Sequence, residues 1–366
     1  MSNSKINRVR LKSPVAAYWT ERFAESWDEL IEIKKKDFSD LEGKKFIFRG
    51  QGLHGDLKTS IERAFEEFEI DGDDRQDCEK QLIRSFQRKA PYHLKGICVP
   101  TKEDTLEWLS LMQHHEAPTR LLDWTYSFYR ALHNAVSKNT RKDKLCGKYE
   151  SELWVMNTRW FTNKTEGDTE TGVQIKRKGI LWDSIEDSIK SKEKDIKNIK
   201  NNIKKNAQKS RNREASLVLK KAKDALDEYR GAKDALDKIG DEGKDYKGEL
   251  ANNRNKLVQY LIDLEKPLSL VYNVTPIGLN ERIIYQQGTF VLPGDITKCF
   301  MQNLEPYKKD NCKDNLFRIV IKLELKERNK IVEELNDMNI NDAVLFPGID
   351  GFAKSLRLKL AFLNKR

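Results

Sequence analysis

Apolar positions recur every second residue in some stretches of this chain and roughly every 3.6 residues in others, and that switch sets the expected elements. Lys45-Phe46-Ile47-Phe48-Arg49-Gly50 reads as a strand stopping at a glycine. The same short, branched and aromatic character marks Glu152 to Met156, Ser269 to Tyr272 and Phe317 to Ile321. Arg120 to Trp124 is a further short strand. Helices are expected from Trp27 to Ile31, and from Cys78 to Lys89 with Leu82, Ile83 and Phe86 on one face. Two more run from Asp104 to Gln113, with Asp104 as N-cap, and from Ser127 to Val136, capped by Ser127.

Residues 183–266 follow a different rule. Ile185, Ile189, Lys192, Ile196, Ile199 and Ile203 advance by alternating fours and threes, the seam of a coiled coil. Ala222, Leu226, Tyr229, Lys233 and Leu236 repeat the step, and Gly240 and Gly243 mark a break. The pattern predicts a helical arm that leaves the core near Asp183, folds back and re-enters near Pro267. Strands on both sides of it imply one discontinuous domain: 1–182, an inserted charged hairpin 183–266, and 267–366.

Charge sharpens that picture. The chain has 366 residues, 34% of them charged, with a formal net charge of +10. Yet Ser188 to Lys223 alone holds 13 Lys/Arg against 3 Asp/Glu, and acidic residues outnumber basic ones from Asp224 to Lys266. The strongest basic excess therefore sits in one segment of the arm with an acidic segment directly after it, and the global charge is a poor guide to what the rest binds. A basic outgoing helix is expected against an acidic returning one, serving as a structural or partner-docking element. The competing reading is a nucleic-acid grip by Lys190, Lys197, Lys204, Lys205, Arg211 and Arg213.

No run of about 18 apolar residues predicts a membrane span, and the first residues lack the apolar stretch of a secretion signal. The five cysteines, Cys78, Cys98, Cys146, Cys299 and Cys312, include no Cys-x-x-Cys pair, which argues against a disulfide scaffold or zinc ribbon. A cytoplasmic protein is expected. His54, His93, His114, His115 and His133 all fall early in the chain without completing a metal-ligand spacing, so no metal is predicted. Glycine-rich phosphate loops and a Gly-x-Ser-x-Gly elbow are both missing.

Two strings carry chemistry: Phe48-Arg49-Gly50-Gln51, and Gln113-His114-His115-Glu116-Ala117-Pro118-Thr119-Arg120-Leu121-Leu122-Asp123-Trp124-Thr125. With Leu57-Lys58-Thr59-Ser60 between them, and Arg282-Ile283-Ile284-Tyr285-Gln286-Gln287-Gly288 and Phe346-Pro347-Gly348 farther on, they resemble the FRG domain in order and spacing. Arg49 suits a bidentate phosphate or carboxylate partner, with Gly50 letting a ligand approach the backbone. The alternative is a structural pair between Arg49 and Asp123. Arg120 is expected either to pair with Asp123 or to reach phosphate. Trp124 is either core or a stacking surface, and His114 either a base or a helix-end structural residue.

A fainter resemblance, in fragments only, is to ADP-ribosyltransferases. Arg49 would stand for their first-strand residue, Asp123-Trp124-Thr125 for the second motif and Arg282 to Gln287 for the third. It implies an α+β fold: an ADP-ribosyltransferase-like mixed-sheet core with flanking helices, interrupted by the antiparallel coiled-coil arm. It also implies NAD⁺ as substrate and a toxin or phage-defence effector that modifies RNA, DNA or protein, with an antitoxin or other protein docking on the arm. Where that family places a glutamate this sequence has Gln286 and Gln287, so Asp123 or Glu281 supplies the carboxylate, or the domain holds a nucleotide without cleaving it. The expected site is Arg49, Asp123 and Glu281 for catalysis, with Gly50, Gln51, His114, Arg120, Trp124, Thr125, Arg282, Gln286 and Gln287 for binding. The alternatives are a non-catalytic nucleotide- or nucleic-acid-binding module, or a NAD glycohydrolase or nuclease using Asp123 and His114.

Overall fold

A single eight-stranded sheet organises the computed structural model, which describes residues 19–38, 45–52, 55–94, 99–137, 141–142, 147–166, 180–205, 212–239, 247–276, 281–309 and 312–363. In chain order the strands are β1 (Thr20–Ala24), β2 (Phe46–Gln51), β3 (Leu122–Thr125), β4 (Arg141–Lys142), β5 (Tyr149–Asn157), β6 (Val271–Val274), β7 (Gly288–Pro293) and β8 (Leu316–Leu323). Across the sheet they run β1-β8-β5-β2-β3-β7-β6, with β4 beside β5. Among the described residues only β1 and β8 pair in parallel. The fold is α+β. Strand β8 lies between β1 and β5, so the chain after residue 266 completes the sheet begun before residue 183.

Both faces of the sheet are covered, which is why β5 is buried from Glu150 to Asn157 instead of alternating. Helices α1 (Trp27–Asp37), α5 (Phe128–Ser137) and α11 (Leu325–Asp337) pack over one face with Phe46, Phe48, Leu153 and Ile319. Trp154, Trp124, Ile47 and Phe300 fill the other. Strand β1 was not legible in Thr20-Glu21-Arg22-Phe23-Ala24. Its polar residues suit an edge position, and pairing with β8 is what makes it a strand.

The remaining helices before the insertion are α2 (Ser60–Glu67), α3 (Gly72–His93), α4 (Thr105–His114) and α6 (Thr158–Glu166). Of the expected α3 face, Ile83 is buried and Phe86 packs against the core, but Leu82 is exposed. Asp104 precedes α4 as expected but gives no side-chain cap to it. Its carboxylate instead accepts from Thr101 N–H at 2.9 Å and Thr101 Oγ1 at 2.8 Å. The cap comes from far along the chain: Asn255 Oδ1 accepts Leu106 N–H at 2.8 Å.

That asparagine lies in the inserted segment, which forms three helices where two limbs were expected: α7 (Ile180–Lys205), α8 (Asn212–Ile239) and α9 (Lys247–Asp263). Helix α9 is core, with Leu257, Val258 and Leu261 buried against Leu106 and Leu109 of α4. Helices α7 and α8 pair antiparallel, as their ion pairs Lys233–Glu186 and Arg230–Glu193 show by running in opposite directions. These two bonds put the acid on α7 and the base on α8, whereas Lys192 of α7 stands 4.0 Å from Glu265 with the base outgoing and the acid returning. Local order of charge, not the net charge of each limb, decides which groups face each other. Lys190 is exposed and pairs within its own helix with Glu186 and Asp187. Gly240, Gly243, Arg211, His54, Cys98 and Cys146, and the side chains of Ile203, Lys204, Lys205, Arg213 and Leu236, lie outside what is described. Helices α10 (Glu281–Gln286), α12 (Asp342–Leu345) and α13 (Ile349–Leu363) complete the fold. Among the described residues no helix is long and apolar enough to cross a membrane.

Candidate functional site

The long histidine-containing string is first of all a helix stop followed by a clamp. Helix α4 ends in a Schellman arrangement: Ala117 N–H bonds Met112 O at 2.9 Å and Glu116 N–H bonds Gln113 O at 3.2 Å, with Glu116 left-handed at φ 61°. Pro118 follows, where the helix has no N–H to lose. Thr119 then docks on the start of α2, its carbonyl accepting Ile61 N–H at 3.1 Å and its N–H bonding Ser60 Oγ at 3.0 Å. Its hydroxyl donates to Gln113 Oε1 at 2.6 Å, which turns the Gln113 amide nitrogen toward Asp123 Oδ2, 3.0 Å away.

Asp123 is therefore a held carboxylate on β3, between β2 and β7. Its alternation along β3 leaves it exposed while Leu122 and Trp124 are buried. From β2, Arg49 reaches it, Nη1 donating to the Asp123 carbonyl at 2.6 Å and standing 4.0 Å from Oδ2. Burial pushes the Arg49 pKa down, Asp123 opposes that, and Arg63 adds to it. The group stays charged, since free guanidinium titrates so high. The Nε of Arg49 is buried without a partner.

Two adjoining cavities meet at this point. One, about 30 Å³, is lined by Gln113, His114 and Ile283 among others. The second, about 200 Å³, is lined by Arg49, Arg130, Asn134, Leu345 and Phe346 among others. Asp123, Trp124, Arg282 and Gln286 border both. Among the described residues, Asp123 is the only carboxylate lining either. Arg282, from the first turn of α10, lies over the Phe346 ring at 5.1 Å. His114 Nδ1 is buried and unpartnered. Burial lowers the His114 pKa, with His115 and Arg282 adding to the effect, so the ring is neutral at pH 7. A larger cavity of about 1110 Å³, between α2 and α3, is lined by Phe65, Phe68, Leu82 and Pro91 among others and borders none of these groups.

The structure thus brings Arg49, Asp123, His114, Arg282 and Gln286 together and reassigns the rest. Arg120 neither pairs with Asp123 nor lines either cavity. It is 1% exposed and forms a two-bond pair with Glu79 of α3, Nε to Oε1 at 2.7 Å and Nη2 to Oε2. Gly50 lines the 200 Å³ cavity, but its missing side chain admits α5, not a ligand. A Cβ there would overlap the Ala131 carbonyl and stand 2.7 Å from Ala135 N. Gln51 lines neither cavity and donates to Gly55 O at 3.4 Å. Trp124 has its ring in the core, 3% exposed, although it borders both cavities.

Thr125 spends its hydroxyl on the fold, donating to Gln286 O at 2.6 Å and accepting Ser127 N–H at 3.0 Å. Gln287 is the left-handed residue that ends α10, with φ 47°. Glu281 is exposed at the start of α10 and lines neither cavity. Gln286 itself is fixed by donating to Leu345 O at 3.0 Å. Arg130 and Asn134, one turn apart on α5, were missed. Their signal was present: they flank Ala131 and Ala135, whose smallness marks the face against the sheet.

Residues 44–144 match the family model of the FRG domain. The chain carries an FRG domain. Searches of curated proteins and of solved structures returned no match. The FRG match includes Arg49, Gln113, His114, Asp123, Arg130 and Asn134, and ends before Arg282, Gln286 and Phe346. The cleft beside the Phe-Arg-Gly string is therefore shared between the FRG domain and the part of the chain that follows the three inserted helices.

Proposed function

We propose that the cleft binds NAD⁺ and transfers its ADP-ribose to a protein or nucleic-acid acceptor in the cytoplasm, as a toxin or phage-defence effector. The observation that carries this reading is the convergence of Arg49, Arg130 and Arg282 around one oriented carboxylate, Asp123. In the reaction the C–N bond between ribose and nicotinamide breaks, and its electron pair leaves with nicotinamide. Positive charge grows on the ribose, and Asp123 stabilises it; a carboxylate fixed beforehand by Gln113 and Arg49 needs no reorganisation. The acceptor nucleophile then bonds to the ribose carbon and loses its proton, which neutral His114 accepts. The arginines hold the pyrophosphate.

A second reading, binding without cleavage, is favoured by one observation: with Glu281 outside both cavities, no second carboxylate among the described residues lines them beside Asp123. Incubating the purified chain with labelled NAD⁺ and RNA, DNA or lysate separates the two. Label on an acceptor, lost in Asp123→Asn, supports transfer; free ADP-ribose supports a glycohydrolase. No turnover with retained NAD⁺ binding supports the binder. The paired α7 and α8, with Leu217 and Val218 exposed on α8, are the proposed docking element for an antitoxin or other protein partner.

A further inference from the structure

Helix α5 contributes to the 200 Å³ cavity two polar groups that none of the described residues satisfies. Arg130 Nη1 and Asn134 Oδ1 are both buried from solvent without a hydrogen-bond partner, and both residues line the same 200 Å³ space as Arg49 and Arg282. They are four positions apart on the helix, so they stand on one face, one turn apart. Buried polar atoms left unpaired are uncommon, because each forfeits its hydration without return. Two of them in one cavity, beside the unpartnered Nε of Arg49, need a common explanation. A ligand supplies one.

We propose that Arg130 and Asn134, with Arg49 and Arg282, form a subsite for the phosphorylated ribose of a nucleotide, Arg130 holding the phosphate and Asn134 a ribose hydroxyl. This rests on the nucleotide-binding reading above but not on turnover. The chemistry of the four groups sets the ligand class. Guanidinium donors require an anion, and a planar one favours the paired oxygens of a phosphate or pyrophosphate. Burial lowers the Arg130 pKa, as it does that of Arg49, so a bound anion returns to both cations what desolvation has removed. With three arginines and Asp123 as the only lining carboxylate among the described residues, the cavity has an excess of two positive charges, matching the two phosphates of a dinucleotide.

Asn134 excludes a bare anion. Its open atom is an acceptor, which repels phosphate oxygen and calls for a donor such as a sugar hydroxyl. A volume of 200 Å³ equals that of about seven liquid waters, space for one phosphorylated sugar, with the rest of a dinucleotide extending past Leu345 and Phe346. Arg282 is preorganised on the Phe346 ring, so it holds its place before the ligand arrives.

The test is calorimetric titration of the full chain with ADP-ribose, inorganic pyrophosphate and adenosine. ADP-ribose is expected to bind at least ~10-fold more tightly than either pyrophosphate, which lacks the sugar, or adenosine, which lacks the phosphates. Arg130→Gln is expected to weaken ADP-ribose roughly 10- to 100-fold and leave adenosine unchanged. Asn134→Ala should weaken ADP-ribose but not pyrophosphate. Arg130→Lys guards against misfolding: charge is kept and the planar fork lost, so partial recovery relative to Arg130→Gln is expected. Equal affinity of Arg130→Gln and wild type, or adenosine binding as tightly as ADP-ribose, overturns the subsite, as does a folded wild type that binds no ADP-ribose. ADP-ribose binding without NAD⁺ cleavage sinks the transferase reading and leaves the subsite standing. NAD⁺ cleavage by Arg130→Gln at unchanged KM does the opposite.

Discussion

Arg120→Met tests whether the arginine of the Pro-Thr-Arg-Leu-Leu-Asp string serves the ligand or the fold. Arg120 and Glu79 are each 1% exposed, joined by two charge-assisted bonds, and Arg120 Nη1 also donates to Pro293 O at 3.2 Å. Removing the guanidinium strands the Glu79 carboxylate in the interior, a cost of about 3–5 kcal/mol. Losing the donor to Pro293 adds about 1 kcal/mol. Against a total stability on the order of 5–15 kcal/mol, the loss is a large fraction. At about 2 °C per kcal/mol for a chain of this size, the melting temperature should fall by roughly 8–12 °C. Glu79→Leu alone should destabilise comparably, because it leaves the cation buried. The double variant Arg120→Met/Glu79→Leu removes both charges together and should recover most of the loss, since apolar replacement of a whole buried pair is often neutral or favourable. Urea or thermal denaturation of the four proteins completes the cycle. If Arg120→Met melts like wild type but loses ADP-ribose binding, Arg120 belongs to the site and the assignment of its guanidinium to Glu79 is wrong.

Gly50→Ala should destabilise by at least ~3 kcal/mol, because the new methyl meets the α5 backbone at Ala131 and Ala135, which has no rotamer to yield; a soluble, normally melting variant would contradict that packing. Glu62, 5% exposed on α2, has its pKa raised mainly by burial, opposed by the Phe300 N–H and by Lys58. The folded state therefore holds the Glu62 proton more tightly than the unfolded chain, and stability drains as pH rises from the ordinary carboxylate range through the folded value. Glu62→Gln should accordingly gain on wild type at pH 7 and lose that advantage near pH 4 in paired urea titrations. A larger deficit at pH 7 than at pH 4 would refute the sign.

Local pattern was enough for the elements whose own residues dictate them. Strand β2, helix α5 and the coiled-coil seam of α7 follow from side-chain period, and the buried Ile185 and Ile196 lie where that period put them. Period failed where the deciding partner is distant. Strand β1 exists through β8, and the start of α4 is capped by Asn255 from the inserted segment. Along the insertion the sense of facing charges varies from pair to pair, acid on α7 against base on α8 but Lys192 against Glu265, because individual pairs, not the summed charge of each limb, choose their neighbours.

The same division runs through the site. That Arg49, Asp123, His114, Arg282 and Gln286 belong together was implied by the family resemblance that the strings carry. A one-dimensional string cannot tell a guanidinium aimed into a cleft from one closed on a carboxylate in the core, because that depends on what other elements present at the same point. Only the tertiary structure sent Arg120 to Glu79, turned Gly50 to α5, left Glu281 outside and admitted Arg130 and Asn134. Sequence carries the chemical types and the local period; the direction of each side chain is settled by packing, and with it which charges are paired and which remain for a ligand.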